Sequence, residues 1–247
     1  MQPFMMQVWD LFLIQMTNWR WSWRGALLTS AIAPLLSMVA FKAFAYDDPL
    51  ALRYILTGNL VFSLLFGTSD KIATNFAYMR ATGMLDYFAS MPLSRVALIL
   101  ASAAAFLVMA LPTMVVILVV GTLMLDLPLV VNGWVVVVVP LIGFSLCGLG
   151  AVIGTVRRPM QEVGSLSSLV NFVLLFLGPV MLPPERISPA LRAVGYLSPS
   201  TYAASALRNT LFAHGDPIAL WVDVLVLAGV MVGFLWWSAR RMDWRQL

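Results

Sequence analysis

The chain has 247 residues, of which 61% are hydrophobic and only 11% charged, against roughly one-quarter charged in a soluble domain. A globule of this size keeps too much of its surface in water to hide that much apolar sequence, whereas lipid accepts runs of about 20 apolar residues as helices that satisfy their own backbone. The net charge of +4 is distributed over segment ends, which speaks against a nucleic-acid surface, and the alternation of a membrane β-barrel is absent.

Residues 4–19 come first. Met5, Val8, Trp9, Phe12, Leu13 and Met16 fall on one helical face, with Gln7, Asp10 and Asn18 on the other. The pattern predicts an amphipathic helix lying in the plane of the interface, with Trp9, Trp19, Trp21 and Trp23 at headgroup depth. The alternative is an extension of the first span.

Six apolar stretches follow, placed at 25–45, 52–74, 96–124, 131–155, 164–182 and 217–238. Pro112, Pro140 and Pro179 fall in spans three, four and five, where kinks are expected. Ala43-Phe44-Ala45 has the A-x-A form of a signal-peptide cleavage site, but the leader would be long and Lys42 is misplaced for one. A first span is the expectation.

With both termini cytoplasmic, the inside holds Arg20, Arg24, Lys71, Arg80, Arg95, Arg157, Arg158, Arg240, Arg241 and Arg245. The outside holds Lys42, Arg53, Arg186, Arg192 and Arg208. That bias, 10 of the 15 basic residues inside, obeys the positive-inside rule.

The segment 78–95 contains Met84, Tyr87, Phe88 and Met91 at i, i+3, i+4 and i+7, bounded by Gly83 and Pro92. A short amphipathic helix of this kind suits docking into a partner's groove and equally suits a headgroup-bound connector. The loop 155–162 anchors helix ends through Arg157 and Arg158. After span five, Ser-Pro recurs at 188–189 and 198–199, and serine at N-cap with proline at N1 starts a helix. Gly195 suits the end of the first. Two short helices result, either re-entering the outer leaflet or lying on the surface.

Chemistry is sparse. The two lysines, Lys42 and Lys71, do not follow a glycine, so no G-x-x-x-x-G-K-[ST] phosphate loop exists. H-E-x-x-H and G-x-S-x-G are absent. The one cysteine, Cys147, reads as a buried structural thiol. A single histidine, His214, excludes histidine-pair metal motifs, so no catalytic or metal residues are assigned. Asp223 is the one acid clearly inside a span, and intramembrane acids are functional candidates, although near a span end it can snorkel or face a polar neighbour. A membrane-embedded lipid-modifying enzyme would rely on Asp223, His214 and Arg208. A gradient-coupled secondary transporter would want a string of buried acids that the chain lacks.

The stretch Arg80-Ala81-Thr82-Gly83-Met84-Leu85-Asp86-Tyr87 with Met91-Pro92-Leu93-Ser94-Arg95 resembles the "R-x-x-G-T/M-L-E/D … P-L-S-R" coupling segment of the type-2 ABC exporter permeases. Gln161, Gly178-Pro179 and Pro183 resemble that family's fifth span and its exit. Leu197 to Arg208 is similar to its "L-N/S-P-x-T-Y-x-x-x-x-L-R" stretch. The coupling segment here is poorer in acids than the family's form, and Gly-Pro stands where Ser-Gly is usual.

The resemblance implies a single all-α transmembrane domain over 1–247. It comprises an interfacial helix (1–24), spans one to five (25–182), outer re-entrant helices (183–216), and span six with a cytoplasmic tail (217–247). It also implies the permease subunit of an ATP-driven exporter in the bacterial cytoplasmic membrane, paired with a second permease. No cofactor is expected on this chain; ATP and Mg belong to a separate cytoplasmic ATPase subunit. Coupling to that subunit is assigned to Arg80, Gly83, Met84, Asp86, Phe88, Pro92 and Arg95, and to Trp9, Asp10 and Phe12 of the N-terminal helix. The outer gate is assigned to Gly178, Pro179, Pro183, Pro199, Tyr202 and Arg208. An amphipathic drug-like, lipid or glycoconjugate cargo is the expectation.

Overall fold

A computed structural model describes residues 3–19, 23–45, 48–212 and 216–241. Trp21, Arg20, His214 and Arg245, and the side chains of Trp19, Trp23 and Arg24, lie outside the described residues. All regular structure among the described residues is helical. The elements are α1 (Phe4–Trp19), α2 (Trp23–Ala45), α3 (Pro49–Leu64), α4 (Asp70–Ala81), α5 (Met84–Ser90), α6 (Arg95–Leu125), α7 (Val135–Gly154), α8 (Met160–Phe176), α9 (Pro189–Gly195), α10 (Pro199–Leu211) and α11 (Leu220–Arg241).

Among the described residues four helices are long and apolar enough to cross a membrane: Pro49–Ala81, Arg95–Leu125, Val135–Gly154 and Leu220–Arg241. Ser30–Ala43 within α2 and Met160–Phe176 are shorter apolar stretches. The first of the four joins α3 and α4 through a single π turn, Leu65–Ser69. It runs to Ala81, well past the expected boundary at 74. Asp70, Lys71 and Asn75 lower the hydropathy there without interrupting the backbone ladder.

The expected span at 164–182 is corrected. Its helix runs from Met160 to Phe176 and stops before Gly178-Pro179, so Pro179 produces no kink but lies in the turn that follows. Proline cannot continue a helix, and it disfavours helical geometry in the residue before it. Pro112 and Pro140 do sit inside continuous helices. Span six starts at Leu220, three residues later than expected.

The packing uses small residues, as membrane helices do when backbones approach closely. A Cβ on Gly150 would run into the Ser69 carbonyl and the Ile72 side chain, and one on Gly154 would meet Phe76 Cβ at 3.0 Å and Ala73 Cα at 3.2 Å. These glycines let α7 lie directly against the π turn and α4. Gly150→Ala is expected to cost about 1–3 kcal/mol through overpacking, read as a lower melting temperature in detergent. An unchanged melting temperature would show that α4 and α7 part freely.

Cys147 is fully buried, its thiol directed at the Ala103 carbonyl at 3.6 Å. The helix α11 buries only the stripe Asp223, Leu227 and Ser238. Leu220, Val224, Leu235 and Ala239 are partly buried against the core, while Trp221, Leu225, Val232 and Trp236 are exposed. At its far end Arg240 and Arg241 lie over the rings of Trp236 and Trp237, at 4.0 and 5.4 Å. This places apolar stems along the helix and charges at its tip.

Candidate coupling and gate regions

One end of the bundle is built around Gly83. Its φ of 73° is the left-handed value that glycine adopts without penalty, and no atom crowds its missing Cβ. The backbone angle alone therefore selects this residue. Gly83 closes α4 and opens α5, its carbonyl accepting from the amides of Asp86 and Tyr87 at 3.1 and 3.2 Å. The chain turns again at Met91-Pro92, and Ser94 caps α6 by accepting from the Ala97 amide at 3.1 Å.

The inward face of α5 differs from the expected one. Leu85 and Phe88 are 3% and 6% exposed and pack with Leu11, Ala97 and Ile99. Tyr87 is 61% exposed, and Asp86 also lies on the outer side. Phe88 therefore faces the chain's own core, while Met84 is half-buried and Pro92 and Arg95 are exposed. The spacing Met84, Tyr87, Phe88, Met91 was ambiguous because a seven-residue helix has room for one buried pair, and Leu85 took the place of Tyr87.

Arg80 reaches away from α5. Its two Nη groups donate to the carbonyls of Val156 and Gly154 at 2.5 and 2.6 Å. The Gly154 carbonyl is the last of α7 and the Val156 carbonyl, just beyond it, also accepts from the Arg158 amide at 2.9 Å, so Arg80 caps the end of one helix from another. On the loop beyond, Arg158 and Glu162 form an exposed i,i+4 pair at 3.3 Å, worth a few tenths of a kcal/mol by the usual ~0.3–0.5 for such pairs.

The N-terminal helix stands beside α6. Gln7 Nε2 donates to the Pro92 carbonyl at 3.3 Å, and Gln7 Oε1 accepts from the Ser94 amide at 3.2 Å. Gln15 Nε2 donates to Ser102 Oγ at 3.3 Å. Positions 7 and 15 thus match 94 and 102 in parallel, so α1 runs alongside the start of α6. Thirty-one residues of α6 reach about 46 Å, and α1 packs beside its first turns. Buried against it are Gln7, Leu11 and Gln15; Phe12 is half-buried, Asp10 exposed, and Trp9 is 59% exposed with its ring stacked on Phe12 at 5.6 Å.

The opposite end gathers the residues from 178 to 223. Gly178 and Gly195 pack back to back. A Cβ on Gly195 would fall 2.5 Å from Gly178 Cα, and one on Gly178 would fall 2.6 Å from Thr201 Oγ1. Thr201 Oγ1 donates to the Gly195 carbonyl at 2.6 Å, and Tyr202 Oη donates to the Tyr196 carbonyl at 2.8 Å. Ser188 caps α9 by accepting from Leu191 N at 3.4 Å. Ser198 instead pairs with Ser200 at 2.6 Å. Pro183 and Pro199 are buried, Pro199 being the first residue of α10.

The short helix α10 is almost entirely inside the protein. Backbone amides of Val130 and Asn132 reach its last turn, donating to Leu211 and Thr210 carbonyls at 3.0 and 2.8 Å. Arg208, 4% exposed, donates through Nε and Nη2 to Asp216 at 2.9 and 2.5 Å. It donates through Nη1 to Thr57 at 3.2 Å and through Nη2 to the Pro179 carbonyl at 3.5 Å. Its guanidinium lies 3.9 Å above the Tyr54 ring, and Tyr54 Oη donates to the same Asp216 at 3.0 Å. Every residue of this knot satisfies another, as buried charge requires.

Asp223 faces polar neighbours, one of the two bland roles expected of it. Its Oδ2 accepts from Ser205 at 2.8 Å and Asn209 at 3.1 Å. Arg208 and Asp223 thus belong to separate bonds, and His214 lies outside the described residues. Sequence reasoning missed Tyr54, Thr57 and Asp216. The available signal was Tyr54 and Thr57 at i, i+3, a polar stripe in an otherwise apolar span. Among the described residues no three His, Cys, Asp or Glu side chains could together hold a metal ion.

No curated protein matches the chain. A family model described as ABC-2 type transporter matches residues 6–212, which takes in the Gly83 end and the opposite end as far as Phe212, and the chain belongs to that family as a multi-pass membrane subunit of an ABC transporter.

Proposed function

We propose that the chain is the permease subunit of an ATP-driven exporter in the bacterial cytoplasmic membrane, with both termini in the cytoplasm. A cytoplasmic ATPase subunit carrying ATP and Mg docks on α5, and a second permease, identical or homologous, completes the path. The observation that carries this reading is the outward face of α5. Leu85 and Phe88 root the helix in the bundle while Asp86 and Tyr87 project from it, in a chain with no phosphate loop of its own. Gly83 and Pro92 stand at its two ends, Arg80 of α4 holds the end of α7, and in this reading Arg95 and the α1 residues Trp9, Asp10 and Phe12 add to the docking surface.

In this reading α9 and α10 re-enter the outer leaflet, and Gly178, Pro179, Pro183, Pro199, Tyr202 and Arg208 frame the exit of an amphipathic drug-like, lipid or glycoconjugate cargo. Nucleotide drives the cycle by binding one arrangement of the assembly more tightly than the other.

The test is copurification with crosslinking. Tyr87→Cys is expected to crosslink to a copurifying ATPase, whereas Phe88→Cys, turned inward, is expected to crosslink at least tenfold less. A complex in which Tyr87→Cys reacts only with water-soluble reagents, or a purified chain that hydrolyses ATP unaided, would remove the reading.

A further inference from the structure

At the α10 end a cleft of about 130 Å³, partly open to solvent, is lined by Leu50, Arg53, Tyr54, Glu185, Arg208, Phe212, Asp216 and Pro217. Four of these are charged. Arg208 and Asp216 neutralise each other, and their donors and acceptors are spent on one another, Thr57 and Tyr54. Arg53 and Glu185 are left. Neither is in an ion pair among the described residues. Arg53 Nε is buried without a hydrogen-bond partner, and the guanidinium lies 5.4 Å from the centre of the Phe212 ring.

A buried N–H of a charged group with no acceptor is costly, and native structures almost always supply one. Of the two carboxylates that line the cleft, Asp216 is engaged by Arg208 and Tyr54 and Glu185 is in no ion pair among the described residues, which leaves room for a ligand to supply the acceptor. Glu185 is exposed at the rim of the same cleft. It repels a second negative charge and attracts an amine. Leu50, exposed, and Phe212 and Pro217 supply an apolar wall.

We infer that this cleft is a binding site for an amphiphile with an amino-phosphate headgroup, the phosphate on Arg53, the ammonium on Glu185 and the apolar part along Leu50 and Pro217. The arginine fork suits a phosphate, two of whose oxygens it can engage at once. A headgroup with a quaternary amine offers no N–H to Glu185, and a purely anionic one meets its charge, so both fit less well. The site rests on the proposed function only in its sidedness, since that reading turns this end outward.

The experiment uses the full chain in detergent and short-chain (dioctanoyl) phosphatidylethanolamine, phosphatidylcholine and phosphatidylglycerol, with inorganic phosphate as the headgroup-only arm. The ethanolamine lipid is expected to bind about tenfold more tightly than the other two, the scale of one charge-assisted hydrogen bond. Arg53→Gln should weaken it by about tenfold or more, and Glu185→Gln should abolish the preference over phosphatidylcholine. Neither residue forms an ion pair, so melting temperatures should hold. Should Arg53→Gln misfold, the exposed Glu185→Gln still decides the matter through the preference. Unchanged binding in Arg53→Gln, an intact preference in Glu185→Gln, or displacement of the lipid by equimolar phosphate overturns the inference. Detergent has no sides and the assay needs no ATPase, so failure of the exporter reading would leave these outcomes intact.

Discussion

Arg208→Met is expected to destabilise the folded chain by about 3–5 kcal/mol, the cost of leaving one member of a buried ion pair without the other. The residue left behind is Asp216, whose side chain is 5% exposed and would keep only the Tyr54 hydroxyl. Asp216→Asn tests the charge separately, because an amide oxygen still accepts from Tyr54. The double variant Arg208→Met/Asp216→Asn should therefore recover most of the loss, with about 1–2 kcal/mol remaining for the bonds to Thr57 and Pro179. Unfolding in detergent, followed for the two single variants and the double, reads the coupling directly. A single-variant loss below about 1 kcal/mol would mean that water reaches this end and that burial there has been overvalued.

Arg80→Met is the second large effect. It removes two short bonds to carbonyls at the end of α7 and just beyond it, each worth about 1.5–3 kcal/mol when the donor is charged, although the Val156 carbonyl keeps the Arg158 amide. Water at this end replaces part of that, leaving a loss of about 2–4 kcal/mol. Arg80→Lys keeps a cation at the helix C-terminus but not the fork that spans two carbonyls, so it should fall between. Under the exporter reading, Arg80→Met should also leave ATPase binding on α5 largely intact while nucleotide-driven transport falls, because the tie from α4 to α7 is cut. Transport per ATP hydrolysed, measured in proteoliposomes, separates the two effects. Undiminished coupling in a stable Arg80→Met protein would show that motion passes from α5 to α6 instead.

The sequence made the helical class and the approximate positions of the apolar stretches legible, because lipid selects for composition over long windows. It placed ends less well, for identifiable reasons. Hydropathy falls at Asp70 and Lys71 although the helix continues to Ala81, since backbone bonding is indifferent to which side chains it carries. Gly178-Pro179 was read as the interior of a span when its close approach to Gly195 made it a turn. The faces of short helices were the hardest. Periodicity gave α1 an apolar stripe, yet its buried side includes Gln7 and Gln15, because the surface it meets is the polar start of α6 at Pro92, Ser94 and Ser102. Arg80 was singled out on a motif, but its partners are carbonyls, which no sequence pattern marks. Asp216 lay just past the matching stretch and bonds to Tyr54, far away in the chain.

That distance sets an order of events during synthesis. Arg208 bonds to a residue made 151 positions earlier, and the amides at 130 and 132 wait for the last carbonyls of α10. A segment with a buried arginine, serines and threonines is a poor candidate for insertion by itself, and its counter-charge is synthesised only after it. The first two-thirds of the chain must therefore stand as a finished receptor for the final third. Asp216 follows Arg208 by only eight positions, so the cation and its counter-charge arrive almost together and can enter that receptor as a pair.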